Sequence, residues 1–173
     1  MNFPAAPELA GTAVTAWSRR HGNWGTISPL PPEGRFATVA VRLPRAREEL
    51  DMLLHLAADR LVPGGSLYMT GANDEGIKSV PDRIEPLFGP PETVLVKYHC
   101  RVFRAFCPET MPPLKTHLQD WRMEFTLPLP GEEKHWVSYP GVFAHGRLDE
   151  GTALLLSVLE QLPQQRRVLD YAC

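Results

Sequence analysis

The chain has 173 residues, 43% of them hydrophobic, and 18 Lys and Arg against 20 Asp and Glu give it a net charge of −2. That length fits one domain of about 100–200 residues plus an appendage, and the charge balance excludes the global basic field of many nucleic-acid binders while leaving local patches open. Cys100, Cys107 and Cys173 lack paired spacing and the six histidines are scattered, so a zinc site and a disulfide framework are not indicated and reduced intracellular thiols are expected.

Residues 1–34 are broken by Pro4, Pro7, Gly11, Gly22, Gly25, Pro29, Pro31, Pro32 and Gly34 and read as an irregular segment, with a short helix possible around Pro7–Trp17. Phe36–Leu43 is rich in β-branched residues and ends at Pro44, which predicts a strand. Leu50, Leu53, Leu54, Ala57, Ala58 and Leu61 recur at helical spacing, one apolar stripe. Arg45, Arg47, Glu48, Glu49, Asp51 and Arg60 fall on the face expected to be exposed. Val62-Pro63-Gly64-Gly65 is a stop-and-turn signal, and Ser66–Gly71 a second strand, most simply joined to the first by a right-handed parallel crossover.

A polar loop, Ala72–Gly76, precedes a helix predicted over Ile77–Leu87, with Val80, Ile84 and Leu87 on one side and Pro81 in its first turn. Thr93–Tyr98 and Cys100–Cys107 read as strands, and 108–120 as a proline-rich connector. Arg122–Leu129 and His135–Tyr139 are short extended segments around the Gly131 turn. The predicted organisation is an irregular segment over 1–34, a domain over 35–135, and a linker with the start of a second domain over 136–173. In that last part a helix, Glu150–Leu162, stops at Pro163 and a polar turn. A short apolar strand ending in Asp170-Tyr171-Ala172-Cys173 follows. Leu154, Leu155, Val158, Leu159 and Leu162 are the expected core side of that helix. No apolar run approaches the roughly 18 residues of a membrane span and no basic-then-apolar leader opens the chain. A soluble, cytoplasmic protein with no membrane partner is therefore expected.

Lys78, Arg83, Lys97, Arg101 and Arg104 lie among Tyr98, His99, Phe103 and Phe106. Cations grip phosphates and aromatic rings stack on bases, so this mixture suits RNA, although strand alternation turns some of these side chains inward. The Gly71–Gly76 loop sits at a strand end, where open α/β sheets bind ligands, but it lacks the Lys-Ser/Thr of a phosphate loop and is read first as a structural turn. Cys100 and Cys107 have no neighbouring base to activate them, and no cluster suggests a metal.

Two blocks carry a family resemblance. The first is Pro44-Arg45 with Glu48-Glu49, then Leu61-Val62-Pro63-Gly64-Gly65 through Gly71-Ala72-Asn73-Asp74-Glu75-Gly76 to Ser79. The second is Tyr139-Pro140-Gly141-Val142-Phe143, Leu148-Asp149-Glu150-Gly151-Thr152 and Val168-Leu169-Asp170. In order and spacing they resemble the bacterial ribosomal small-subunit RNA guanine-N2 methyltransferases and their large-subunit relatives, over most of residues 36–173. The resemblance implies two methyltransferase-like domains in tandem, the first without a cofactor site, the second binding S-adenosylmethionine (SAM) and methylating the exocyclic amine of a guanine. The implied fold class is α/β: a Rossmann-like, methyltransferase-type sheet lacking its own cofactor site, then the first helix and strand of a second such domain.

By the same resemblance Gly141, Phe143, Asp149, Gly151, Thr152 and Asp170 approach the cofactor; Lys78, Lys97, Arg101 and Arg104 are assigned to RNA from their place among the aromatic residues. Phe143 reads alternatively as a plug between domains, and Asp149 as a helix cap worth about 1 kcal/mol. The family's Asn-Pro-Pro-aromatic loop, which orients the amine, is absent from this sequence, as is the acidic residue that would hold the ribose. These 173 residues are therefore expected neither to bind SAM nor to catalyse alone. They are expected to support folding and RNA presentation for a missing C-terminal catalytic domain, with ribosomal RNA or a ribosomal subunit as partner. The rival readings are a stand-alone interaction module whose last strand pairs within its own sheet, and a small enzyme with a nucleotide site at Asn73–Gly76.

Overall fold

In the computed structural model the described residues are 13–19, 25–129, 132–159 and 161. Asp170 and the expected strand around it lie outside them. Contacts divide the chain between Trp121 and Arg122, so the extended segments 123–129 and 132–138 fall together in the second unit.

In the first unit β1 (Trp17–Ser18) and β2 (Thr26–Ile27) form a short parallel pair. The Trp17 indole N–H donates to the Ser28 carbonyl at 3.1 Å. Residues 13–16 are not helical, so the described end of the expected Pro7–Trp17 helix is extended instead. A strand contact holds Trp17 where no helical stripe anchors it.

The main sheet starts with β3 (Phe36–Arg42), followed by α1 (Arg47–Arg60) and β4 (Leu61–Ala72). Glu48 and Glu49 stand in the first turn of α1 and Arg60 in its last, signs that complement the helix dipole. Two short 3-10 turns, Asn73–Glu75 and Ile77–Ser79, lead into α2 (Pro81–Phe88); of its two prolines, Pro81 takes the first position, where a missing N–H costs nothing. Then β5 (Glu92–Lys97) and β6 (Cys100–Phe106) close the sheet in the order β3-β4-β6-β5. β3 and β4 are parallel, and β6 runs antiparallel to both β4 and β5.

Alternation along β4 and β6 puts Leu67, Met69, Phe103 and Ala105 on one face, in a single buried cluster with Leu50, Leu54, Ala57 and Ala58 of α1 and Ile84, Leu87 and Phe88 of α2. Leu67 and Met69 are fully buried, each contributing about 1.5–3 kcal/mol. The other face carries Ser66, Tyr68 and Thr70 of β4 and Phe106 of β6, half-buried or exposed.

Two sequence expectations change here. First, α1 is buried on a second side. Glu49 is only 6% exposed, and Met52 and Leu56 are buried beside the predicted stripe. Arg19, from the segment before the sheet, pairs with Glu49 at 3.7 Å, the kind of partner a buried carboxylate requires. Second, Val62–Gly65 is not a turn between elements but part of β4. Phe36 pairs with Leu61 and Thr38 with Ser66, so five steps on β4 oppose two on β3 and three extra residues form a bulge. Gly64 has φ +74°, and a Cβ on Gly65 would stand 2.8 Å from the Val62 carbonyl oxygen. The glycines are needed, but for a bulge.

In the second unit β7 (Met123–Leu129) and β8 (Glu132–Ser138) pair antiparallel from Met123↔Ser138 to Leu129↔Glu132. A loop leads to α3 (Glu150–Leu159). Leu154, Leu155, Val158 and Leu159 are 68%, 57%, 49% and 42% exposed. They are therefore not core among the described residues: the apolar stripe exists, but about half of it stays exposed. Among the described residues no helix is long and apolar enough to cross a membrane.

Gly71, near the end of β4, is the tightest joint between sheet and loop. A Cβ there would meet the Leu43 Cβ at 2.9 Å and the Ile77 Cδ1 at 3.1 Å. Gly71→Ala is expected to destabilise the first unit by about 1–3 kcal/mol through overpacking, measured as a lower urea midpoint with an unchanged slope. Gly76→Ala, whose Cβ meets nothing but whose φ is +90°, tests backbone strain alone.

Candidate nucleic-acid rim and cofactor-edge loop

The carboxyl end of β4 meets the β5–β6 hairpin. Ala72 pairs with Cys100, Lys97 also pairs with Cys100, and the Asn73 N–H donates to the His99 carbonyl at 2.8 Å. This register brings Lys97, Tyr98, His99 and Arg101 to one end of the sheet, beside the turns that carry Asn73, Glu75 and Lys78. Arg101 Nε donates to Asn73 Oδ1 at 3.0 Å. Arg42, the last residue of the β3–β4 ladder, pairs with Glu75. That hydrogen bond, helped by the Ala72 N–H, holds the Glu75 carboxyl below the usual range. Lys97 Nζ lies 4.8 Å from the Tyr98 ring centroid.

The four cations assigned to RNA are thus not brought together as a set. Lys78, Lys97 and Arg101 share the rim. Arg104 lies farther along β6, paired in register with Tyr68 and bound to Glu92, with its guanidinium 5.1 Å from the Phe106 ring. Its distance along the strand separates it: three residues on from Arg101, at roughly 3.3 Å per residue, it stands about 10 Å farther from the hairpin tip. Sequence reasoning passed over Arg42, whose place beside Glu75 depends on strand pairing over 33 positions.

The Asn73–Gly76 turn has a use of its own. Glu75 Oε2 accepts from the Ala72 N–H at 2.9 Å and the Ser79 hydroxyl donates to the Gly76 carbonyl at 3.0 Å. The described strands also contain no topological switch point, the place where a doubly wound sheet opens a ligand crevice. α1 and α2 join one cluster on one face, and the strands after β4 return as a hairpin. Burial pushes the Cys107 thiol up, away from a reactive thiolate.

A cleft of about 320 Å³ lies between α1, α2 and the 111–121 connector, lined by Asp51, His55, Arg83, Lys115 and Trp121 among others. The Lys115 N–H donates to His55 Nδ1 at 3.1 Å, and the His55 and Trp121 rings meet edge-on at 5.4 Å. Burial first, then the Lys115 charge, lowers the His55 pKa. Arg83 is held by Asp51 at 3.0 Å.

In the second unit the loop after β8 is bent through positive φ at Gly141 (87°), Ala144 (49°) and Gly146 (73°). The buried Ser138 hydroxyl and His145 Nδ1 are 2.7 Å apart, closing the loop at its base. Phe143 is 80% exposed at its tip. Asp149 caps α3: its Oδ2 accepts from the Thr152 N–H at 3.1 Å and its carbonyl from the Ala153 N–H at 2.8 Å. Gly151 is the residue that allows this, since a Cβ there would stand 3.1 Å from the same oxygen. Gly141, Phe143, Asp149, Gly151 and Thr152 therefore share one loop and helix start. Among the described residues no group of three or more His, Cys, Asp or Glu could hold a metal.

The family model described as "Methyltransferase small domain N-terminal" matches residues 12–125, and that described as "Methyltransferase small domain" matches 133–173. This chain belongs to the methyltransferase small domain family. Its relatives include proteins named ribosomal RNA small subunit methyltransferase C. The one from Stutzerimonas stutzeri is 35% identical over 96% of this chain and 51% of the relative. That from Pseudomonas fluorescens is 37% identical over 98% and 53%, and that from Shewanella halifaxensis 39% identical over 83% and 41%. The chain spans about half the length of the curated relatives it matches. A solved T. thermophilus 16S rRNA N2 G1207 methyltransferase, in complex with AdoMet and guanosine, superposes with a TM-score of 0.63 at 28% identity, covering 74% of this chain and 34% of that one. The family's α/β methyltransferase fold is thus present.

Two consequences are measurable. Asp149→Ala removes a cap worth about 1 kcal/mol, so amide exchange in the first turns of α3 is expected to quicken about fivefold, with Asp149→Ser close to the parent. The His55 pKa is depressed in the folded state, so its unfolded form takes up a proton first as pH falls. Stability is expected to be full above the ordinary value of 6.5 and to decline below it. A melting-temperature series from pH 7.5 to 5 should show this slope, reduced in His55→Gln.

Proposed function

We propose that this chain supplies the N-terminal, RNA-presenting part of a SAM-dependent methyltransferase acting on guanine N2 of small-subunit ribosomal RNA, in the cytoplasm. The observation that carries the reading is the tandem order: a methyltransferase-type sheet without a switch point, then a loop and helix matching a second family segment whose apolar stripe stays about half exposed among the described residues. The relatives' names supply the reaction and the substrate class.

In this reading the two units divide the work. The rim of Lys78, Lys97 and Arg101 holds phosphates, which positions RNA without reading its sequence. The loop of Gly141 to Thr152 forms one edge of the cofactor site. Its bent backbone, the capped start of α3 and the exposed Phe143 ring fit a flat ligand lying against them. SAM, when bound, supplies an electrophilic methyl group. The residues of this chain orient and exclude water, and the groups that orient the guanine amine belong to the catalytic domain. Positioning of this kind supplies much of such an enzyme's acceleration. The 173 residues alone are then inactive.

A second reading, a non-enzymatic interaction module, is favoured by β5. This edge strand is exposed along all six residues, including Val94, Leu95 and Val96, and an uncovered edge is a template for pairing.

Isothermal titration with SAM is expected to show no specific binding to the 173-residue chain, and micromolar binding would sink the division of work. With a ribosomal RNA fragment, Lys78→Ala and Lys97→Ala are each expected to lower the dependence of log K on log salt by about 0.7–0.9. Arg104→Ala, whose guanidinium is already bound to Glu92, should leave it unchanged. Equal slopes in all three would count against the rim.

A further inference from the structure

We propose that the Tyr98–His99 hairpin tip is a stacking platform for an unpaired RNA base; this rests on the RNA reading above and gives its rim a specific contact. β5 and β6 are joined by only these two residues, since Lys97 and Cys100 still pair. Both residues have positive φ, 52° at Tyr98 and 59° at His99. A two-residue turn with both φ positive is the type that takes Asn-Gly, because those residues enter the left-handed region without a bulky side chain. A bulky tyrosine is unfavourable there and weighs against folding by roughly tenfold. Among the described residues no packing repays this, because the Tyr98 side chain joins no core cluster and is 82% exposed.

The tip is nonetheless held in place. The Asn73 N–H to His99 carbonyl bond ties it to the end of β4, and the Ala72–Cys100 pair lies directly behind. An exposed aromatic ring on a tethered turn costs little backbone freedom when a flat ligand lies on it. Lys97 Nζ stands 4.8 Å from the ring centroid. Lys97 has no ion-pair partner among the described residues, so beside the ring it can also meet a phosphate flanking a stacked base. Ring plus cation is the combination by which single-stranded nucleic acid is gripped. The ligand is specified as unpaired because bases inside an A-form helix offer no open face to a protruding ring.

The test uses the whole 173-residue chain, a dye-labelled single-stranded RNA oligonucleotide and a blunt duplex of the same sequence, read by fluorescence anisotropy. The parent is expected to prefer the single strand. Tyr98→Ala should weaken single-strand binding about tenfold and leave the duplex unchanged, while Tyr98→Phe and Tyr98→Trp keep the parent affinity. The double variant Tyr98→Asn with His99→Gly is expected to melt at a higher temperature, because strain is relieved, yet to bind the single strand about tenfold more weakly. Lower affinity at higher stability cannot come from unfolding. If Tyr98→Ala or the double variant binds like the parent while Lys97→Ala does not, the platform is refuted, the RNA reading stands, and the strained tip falls to a protein partner. If the parent binds neither RNA, the RNA reading fails and the platform with it.

Discussion

Strand β4 is paired on both edges, parallel to β3 and antiparallel to β6, and the first unit depends on this double pairing. It buries Leu67 and Met69 completely on one side and fixes where both helices must pack. It also sets, at a single register, which residues of the β5–β6 hairpin reach the carboxyl end of the parallel pair. Because side chains alternate with a period of two, a slip of one residue would send Phe103 and Ala105 outward and carry Arg104 into the core. The burial of the first two and the solvent contact of the third therefore hold the rim in place as firmly as its own hydrogen bonds do.

The same pairing leaves the described sheet without a topological switch point. In a doubly wound sheet, adjacent crossovers on opposite faces open a gap at the strand ends. Here both helices join one cluster, and the two remaining strands form a hairpin. The carboxyl end carries Lys97, Arg101 and the exposed Tyr98 ring. The second unit is of a different kind. Its loop is shaped by left-handed residues, closed by the Ser138–His145 contact and continued by a capped helix. The helix presents more apolar surface than its described neighbours cover.

Much of this was legible in the chain. The strand over 36–42, the helices around Leu50–Leu61 and Ile84–Leu87, and the strand over 100–106 follow from periodicity and from proline and glycine punctuation, all local signals. The misreadings share one physical origin. Pro63-Gly64-Gly65 carries turn chemistry, but a bulge inside a strand needs the same backbone freedom, and only the facing register of Phe36 and Thr38 tells them apart. Glu49 was expected in water, since its cation, Arg19, lies 30 positions away. Leu154 and Leu155 have helical core spacing yet are exposed, because a stripe specifies a face and not the element that covers it.

At the rim the same division holds. The sequence by itself determined which residues are cationic, which are aromatic, that Asp149 suits a helix start, and to which family the ordered motifs point, because composition, spacing and capping act within a few positions. Only the tertiary structure decided that Lys97 and Arg101 stand with Lys78 while Arg104 does not. It alone decided that Arg42 belongs beside Glu75, and that Tyr98 and His99 occupy left-handed backbone. Each of these depends on strand register, which is set by burial summed over the whole sheet.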